Sequence, residues 1–188
     1  MLALKPEINN IISHLLNIDD DNNFKCLNLL DYFIEKYPDA PGSVSNHQAY
    51  EGGYYKHISD ILDYSSKMFK YLSLKGKLDF SLSDAILVLF LHDIEKPIKY
   101  TPVLVKTGVI DENGMIEEEI YEYETDSDDD IRENLINKFN IKLTDEHKLA
   151  LKYIHGEGED YRKDKRVMTP LSAFCHCCDV ISARIFFN

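Results

Sequence analysis

From Ala85 to Leu91 the chain reads AILVLFL, and His92, Asp93, Glu95 and Lys96 follow at once in the run FLHDIEKP. A helix that is apolar on most of its sides has to be wrapped by other elements. The segment is therefore expected to be the central helix of a mainly α-helical protein. Ser81 or Ser83 caps its start, and Pro97 closes it. Its last turn then delivers polar side chains to a cleft. An imidazole next to a carboxylate offers a divalent cation two ligands of different hardness. A lysine one turn further on, on roughly the same face, can meet a phosphate polarised by such a cation. A helix end whose polar residues simply face water is the plainer alternative, and it loses ground only through residues elsewhere in the chain.

Composition sets the outer limits. The 188 residues suffice for a single domain with a sizeable core, and a hydrophobic content of 44 % excludes general disorder. The formal net charge is −12, from 33 acidic and 21 basic residues. Such a balance excludes binding of long nucleic acid through a general basic surface. A nucleotide or a short strand end remains within reach, since one cation and a few basic side chains serve it locally. Of the cysteines Cys26, Cys175, Cys177 and Cys178, the last three crowd one short stretch in which disulfide geometry is rarely met, which points to a reducing compartment. The amino end carries no secretory-leader pattern, and no apolar run is long enough for a membrane span. The expectation is a cytoplasmic protein away from membranes.

Residues 1–40 carry two helical patterns. Ile11, Ile12, Leu15 and Leu16 form the first, with His14 as an ordinary helix residue, and Cys26, Leu29, Leu30, Phe33 and Ile34 belong to the second. Pro38 and the PDAPGS segment end it. Ser59 to Leu72 is amphipathic, and His57 sits near the start of that helix. Gly52 and Gly53 just before it permit a positive φ or a close backbone approach. His47 precedes them in a loop-like stretch. Further on, VLVKTGVIDENGMIEEEIYEYE brackets Asn113-Gly114 with β-branched and aromatic residues, a hairpin signal. The glutamates from Glu117 to Glu124 run into TDSDDD without the ligand and glycine order of a calcium loop, so a solvated acidic loop is expected. Residues 101–130 thus form a hairpin and acidic-loop insertion.

Helix resumes at Ile131 and again after Thr144. His147 and His155 are close to two helical turns apart and can share a face, and Gly156 and Gly158 end that helix just after His155. The segment DYRKDKRVM supplies Arg162, Lys163, Lys165 and Arg166, either as a phosphate-binding rim or as a solvated loop. Thr169 caps the last helix with Pro170 in its first turn. Asp179 stands in that helix among Phe174, Cys175, Cys178, Val180 and Ile181. A carboxylate there is expensive unless it is paired or metal-bound. The CHCC cluster lacks a second ligand pair at finger spacing, so buried, reduced cysteines are expected.

Taken together, His57, His92-Asp93 and Asp179 can meet from separate helices, and this order resembles the HD-domain metal-dependent phosphohydrolase superfamily. EGGYYKHISDIL is similar to its first-histidine helix, FLHDIEKP to its His-Asp helix with Lys96 at the lysine of the HDxGK variant, and CCDVISAR to its closing aspartate helix. The layout most resembles the HD domains of bacterial 3′–5′ exoribonucleases. Those also have a loop histidine before a Gly-rich turn, here SNHQAYEGGYYKH, and a histidine before a polar loop and final helix, here YIHGEGEDYRKDKRVMTPLSAF. The resemblance runs from about Ser43 to Arg184, interrupted by the insertion. In three respects it departs. Glu95 stands where glycine is common, the adjacent histidines often seen near position 155 are reduced to one, and the accompanying nucleic-acid-binding domain is absent from the sequence.

The resemblance implies an HD-type helical bundle with His57, His92, Asp93 and Asp179 as ligands of a divalent cation. Mn, Fe, Co, Ni or Zn suits such ligands better than Mg alone. It further implies Lys96 as a phosphate contact, His155 and less directly His147 at a second cation or at phosphate, and His47 lining the site. The cation would lower the pKa of a bound water and polarise the phosphorus–oxygen bond, with Asp93 or Glu95 accepting the proton. Arg162, Lys163, Lys165 or Arg166 would offset phosphoryl charge. The expected activity is hydrolysis of a phosphate ester or anhydride in a nucleotide or short phosphodiester, by a nucleotide phosphatase, triphosphohydrolase or phosphodiesterase. A non-catalytic, nucleotide- or metal-binding regulatory module is the alternative. A purely structural helical protein that uses the 101–130 hairpin for assembly is a third class, and it has to explain Asp179 some other way, for instance by a buried partner such as Arg184.

Overall fold

A computed structural model describes residues 5–45, 48–111 and 114–185, those from 103 to 121 as backbone only. The chain is mainly helical. In order come α1 (Pro6–Leu15), α2 (Asn22–Lys36), α3 (Gly53–Ser73), α4 (Leu82–Leu91) and the short α5 (Lys96–Lys99). Two strands follow, β1 (Val103–Asp111) and β2 (Gly114–Glu122), antiparallel with Val103 opposite Glu122 and Asp111 opposite Gly114. Asn113, in the expected turn, lies outside the described residues. Then come α6 (Asp128–Lys138), α7 (Asp145–Tyr153), a 3-10 turn (Gly158–Asp160), α8 (Pro170–Val180) and a π-helical turn (Ile181–Ile185). Among the described residues no helix is long and apolar enough to cross a membrane.

The centre is α4. Every residue from Ala85 to Leu91 is buried, and α1, α3, α7 and α8 pack around it. Ser81 starts the helix: its Oγ accepts from the Asp84 amide at 3.0 Å, and Asp84 Oδ2 accepts from the Ser81 amide at 2.8 Å. This reciprocal pair satisfies two donors that a helix start otherwise leaves bare. The helix ends at Leu91, earlier than expected, and residues 92–95 form a turn. Pro97 sits in the first turn of α5 and so opens a helix where a stop was expected. At that position the missing N–H costs nothing and the fixed φ is already helical.

Helix α3 starts at Gly53, before the amphipathic stretch, with Gly52 in the left-handed region at φ 77°. A Cβ on Gly53 would lie 2.0 Å from the Gln48 carbonyl oxygen, so the loop and the helix start meet backbone to backbone. The Gly42 amide donates to Gln48 O at 2.9 Å, and the Tyr54 amide donates to Ala40 O at 3.0 Å. Tyr54, Tyr55, Ile58, Ile61 and Leu62 are fully buried along α3. Helix α1 lies on its other side. There Asn10 Nδ2 donates to Ser59 Oγ at 2.9 Å, and His14 Nε2 lies 2.9 Å from Asp63 Oδ1. Helix α8 is capped by Thr169, and its Phe174 ring packs on Phe69 and Phe80.

One side chain joins α2 to the loop between α6 and α7. Asn22, 1 % exposed, donates from Nδ2 to Lys142 O and accepts on Oδ1 from the Lys142 amide, both at 2.9 Å. The amide group imitates a strand partner for the loop between α6 and α7. Asn22→Ala removes both hydrogen bonds made by this buried amide, at a cost of about 0.5–1.5 kcal/mol each. The expected result in urea denaturation is a lower midpoint with an unchanged slope.

Candidate metal centre

Four polar side chains meet where α3, the end of α4 and α8 approach one another. His57 and His92 are fully buried, Asp93 is 1 % exposed and Asp179 is 9 % exposed. The Nε2 atoms of the two histidines face each other at 3.3 Å. Asp93 Oδ2 lies 3.4 Å from His57 Nε2 and 3.1 Å from His92 Nε2, and Asp179 Oδ1 lies 3.7 Å from each. These imidazoles supply the partners that a carboxylate in α8 needs.

The outer ring nitrogens explain how the imidazoles are aimed. His92 Nδ1 is 2.7 Å from the Leu89 carbonyl oxygen. A carbonyl only accepts, so Nδ1 carries the proton, and Nε2 faces the cluster as the nitrogen that would give up its proton to bind a cation. His57 Nδ1 shares a hydrogen bond of 3.0 Å with the Ser182 hydroxyl. Ser182 lies one helical turn beyond Asp179, so α8 and the π-helical turn that follows it provide a candidate ligand and the support of another. Such outer partners commonly orient metal-binding histidines.

The charges in the cluster shape one another. Burial works against a charge on His92, but Asp93 and Asp179 outweigh it and raise the imidazole pKa to about 10. Burial lowers that of His57, with Asp93 opposing. Burial also works against the Asp93 carboxylate, yet His92 and Lys96 hold it well below the ordinary range. Asp179, despite burial, is lowered by His92 and His57. Lys96 Nζ, 14 % exposed, donates to Asp93 Oδ2 at 2.5 Å. Glu95 is raised by burial and by Asp93, with Arg132 opposing.

A divalent cation fits this donor set. His57, His92 and Asp179 each offer a ligand atom within 4.8 Å of the others, and so do His92, Asp93 and His155. Asp93 Oδ1 is buried and makes no hydrogen bond to any described residue. The nearby ring nitrogen, His155 Nε2, is 3.7 Å away on a side chain that is 57 % exposed. Two imidazole nitrogens and two carboxylates converging with a bare oxygen suit a borderline metal ion.

The remaining candidates divide. His147 stays out of the cluster: its Nδ1 accepts from the Thr144 amide at 3.3 Å, and its Nε2 lies 2.9 Å from Asp84 Oδ1. Both nitrogens are therefore engaged in joining α7 to the start of α4. His47 lies outside the described residues. Arg162, Lys163, Lys165 and Arg166 are exposed and line their own small cavity of about 240 Å³, to which none of the cluster residues contributes. A larger cavity of about 820 Å³ is lined by Glu95, Arg132 and His155 together with the acidic Asp128, Asp129 and Glu133 and the apolar Ile136, Ile141, Leu143 and Leu151. The cysteines belong to neither metal-capable group.

Sequence reasoning did not find Tyr54, Ser182 or Arg132. The Tyr54 hydroxyl is buried without a hydrogen-bond partner among the described residues. Burial, with Tyr55, Asp93 and Glu95, raises its pKa. Its spacing of three from His57 on α3 was the available signal. Arg132 carried none, because its partners in the turn lie 37 and 40 residues away. No family model matches the chain, and neither a curated protein nor a solved structure matches it.

The His147–Asp84 link has a measurable sign. Burial opposes the Asp84 carboxylate, but Ser81 and His147 hold its pKa below the ordinary value of 3.8. A carboxylate depressed in the folded state contributes stability above its unfolded pKa and loses it as pH falls through the folded one. Asp84→Asn is expected to unfold more easily than the parent at neutral pH, with the gap closing below the carboxylate range. Denaturation series at neutral and acidic pH check it, and a gap constant with pH contradicts it.

Proposed function

We propose that this chain is an HD-type metal-dependent phosphohydrolase, a helical bundle carrying the 101–130 segment as a hairpin and acidic-loop insertion. The reaction is hydrolysis of a phosphate ester or anhydride in a nucleotide or short phosphodiester. The observation that carries the reading is the convergence of His57, His92, Asp93 and Asp179 in a buried cluster where Asp93 Oδ1 makes no hydrogen bond among the described residues. The resemblance in motif order adds the chemistry. A divalent cation at these ligands would supply Lewis-acid polarisation of the phosphoryl group and an activated water.

The chain's own residues do the rest. His57 and His92 present Nε2 because Ser182 and Leu89 engage their other nitrogens. Lys96 brings a cation next to Asp93 and is partly open to solvent, as a phosphate contact must be. Asp93, through its unbonded oxygen, and Glu95, which lines the large cavity, are the two carboxylates available to accept a proton. His155, exposed and lining that cavity, is suited to hold the phosphate or a second cation. The cavity's size is that of a small-molecule site, and the apolar residues in its lining, Ile136, Ile141, Leu143 and Leu151, suit the organic part of a nucleotide. All four cysteines are free thiols, in keeping with a cytoplasmic setting.

Phosphate release is the direct test. A panel of nucleoside mono- and triphosphates, cyclic nucleotides and a short single strand is assayed with Mn²⁺, Co²⁺, Ni²⁺, Zn²⁺ or Mg²⁺. Turnover is expected for one substrate class, falling to background in the His92→Ala/Asp93→Ala variant. Lys96→Met is expected to stay folded and to lose turnover while binding the cation. A folded protein that binds the ion and turns over nothing with any metal contradicts the hydrolase, and retained nucleotide binding would then favour the regulatory module.

A further inference from the structure

Arg132 comes from α6, a helix that supplies none of the candidate ligands, and it reaches into the turn that supplies two of them. Its Nη2 donates to the His92 carbonyl oxygen at 3.0 Å and to Glu95 Oε2 at 3.1 Å. Nη1 donates to Asp129 Oδ1 at 2.9 Å. The Arg132 side chain is 15 % exposed and that of Glu95 is 4 % exposed, whereas Asp129 is 92 % exposed. The buried end of the guanidinium is thus committed to the turn, and the outer end meets a partner in solvent.

The turn needs such a partner. Helix α4 stops at Leu91, and the carbonyls of its final turn have no successor amides within the helix. Beyond it the chain crosses residues 92–95 before Lys96 opens α5. The backbone bonds here are short-range ones, Lys96 N to Asp93 O at 3.1 Å and Lys99 N to Glu95 O at 2.9 Å. One nitrogen of Arg132 touches the first residue of the turn through its carbonyl and the last through its carboxylate. That contact sets the span between them, and Asp93 lies inside it. A buried ion pair is weak evidence for stability, since apolar residues of similar volume often serve as well. The contact with the His92 carbonyl, in contrast, has no apolar substitute.

We propose that Arg132 is a positioning residue that holds the His92–Glu95 turn from outside the ligand-bearing helices, and so sets the aim of His92 and Asp93. Its effect on cation affinity rests on the proposed metal centre, while its hold on the turn does not. Because Arg132 also borders the large cavity, α6 connects the cavity wall to the turn.

The test separates positioning from charge neutralisation. Arg132→Ala alone strands Glu95 next to Asp93 and risks the fold, so Glu95→Gln/Arg132→Met is compared with Glu95→Gln alone. Amide hydrogen exchange, without added metal, is read at Lys96, Ile98 and Lys99. The expected result is about tenfold weaker protection at these amides in the double variant, with α3 and α4 unchanged. Arg132→Lys, which keeps the charge but loses the planar fork, is expected to remain stable and still to weaken protection of the turn. Calorimetry with Mn²⁺ is expected to show about 10- to 100-fold weaker binding in the double variant than in Glu95→Gln. Turn protection within twofold of the Glu95→Gln protein overturns the proposal. Absence of Mn²⁺ binding in the parent overturns the metal centre instead, and the exchange result still decides the role of Arg132.

Discussion

The rest of the structure follows from the need to bury Ala85–Leu91 on all sides. Helices α1, α3, α7 and α8 surround that segment, so the first polar residues after it emerge inside the protein. His92, Asp93 and Glu95 are accordingly 0 %, 1 % and 3 % exposed. Ionisable groups taken out of water have to be answered by neighbours. Lys96 answers Asp93, Arg132 answers Glu95, and Asp179 with Asp93 answers His92. The polar interior is a direct consequence of the apolar helix that leads into it.

The histidines illustrate how residue type alone underdetermines role. His147 has both ring nitrogens occupied, one by a backbone amide and one by Asp84, and it serves as a structural pin. His92 has one nitrogen tied to a carbonyl, and the other points at two carboxylates and a second imidazole. His14 is engaged by Asp63 and Ser66 on the outer side of α3. The distinction lies in which atoms face each nitrogen. Only residues able to leave one nitrogen facing other ligands can contribute to a metal centre.

Much of the architecture was legible because it rests on local chemistry. The apolar run marked α4, and Thr144 and Thr169 marked the starts of α7 and α8. Asp179 stood out because a carboxylate among apolar neighbours needs an answer, and the answer was His57 and His92, where Arg184 had been one candidate. The exit from α4 was not legible. Proline both stops helices and opens them, so Pro97 alone does not decide between the two. Nor was His147, whose spacing from His155 fitted a shared face while its place three residues after Thr144 fitted a cap. Arg132 sits in the strongly polar run DDDIRENLINK. Nothing within several residues tells its buried guanidinium from a solvated one.

The thiols of α8 carry a practical consequence. Cys175 and Cys178 are buried, as is Cys26 in α2, and burial pushes all three thiols upward, that of Cys178 to about 12. Such thiols are poor nucleophiles at neutral pH. Cys177 is exposed, two residues from Asp179 and therefore on nearly the opposite side of the helix. A maleimide fluorophore would consequently attach at that one sulfur in the native protein, giving an optical reporter on the very helix that holds Asp179 without an engineered cysteine.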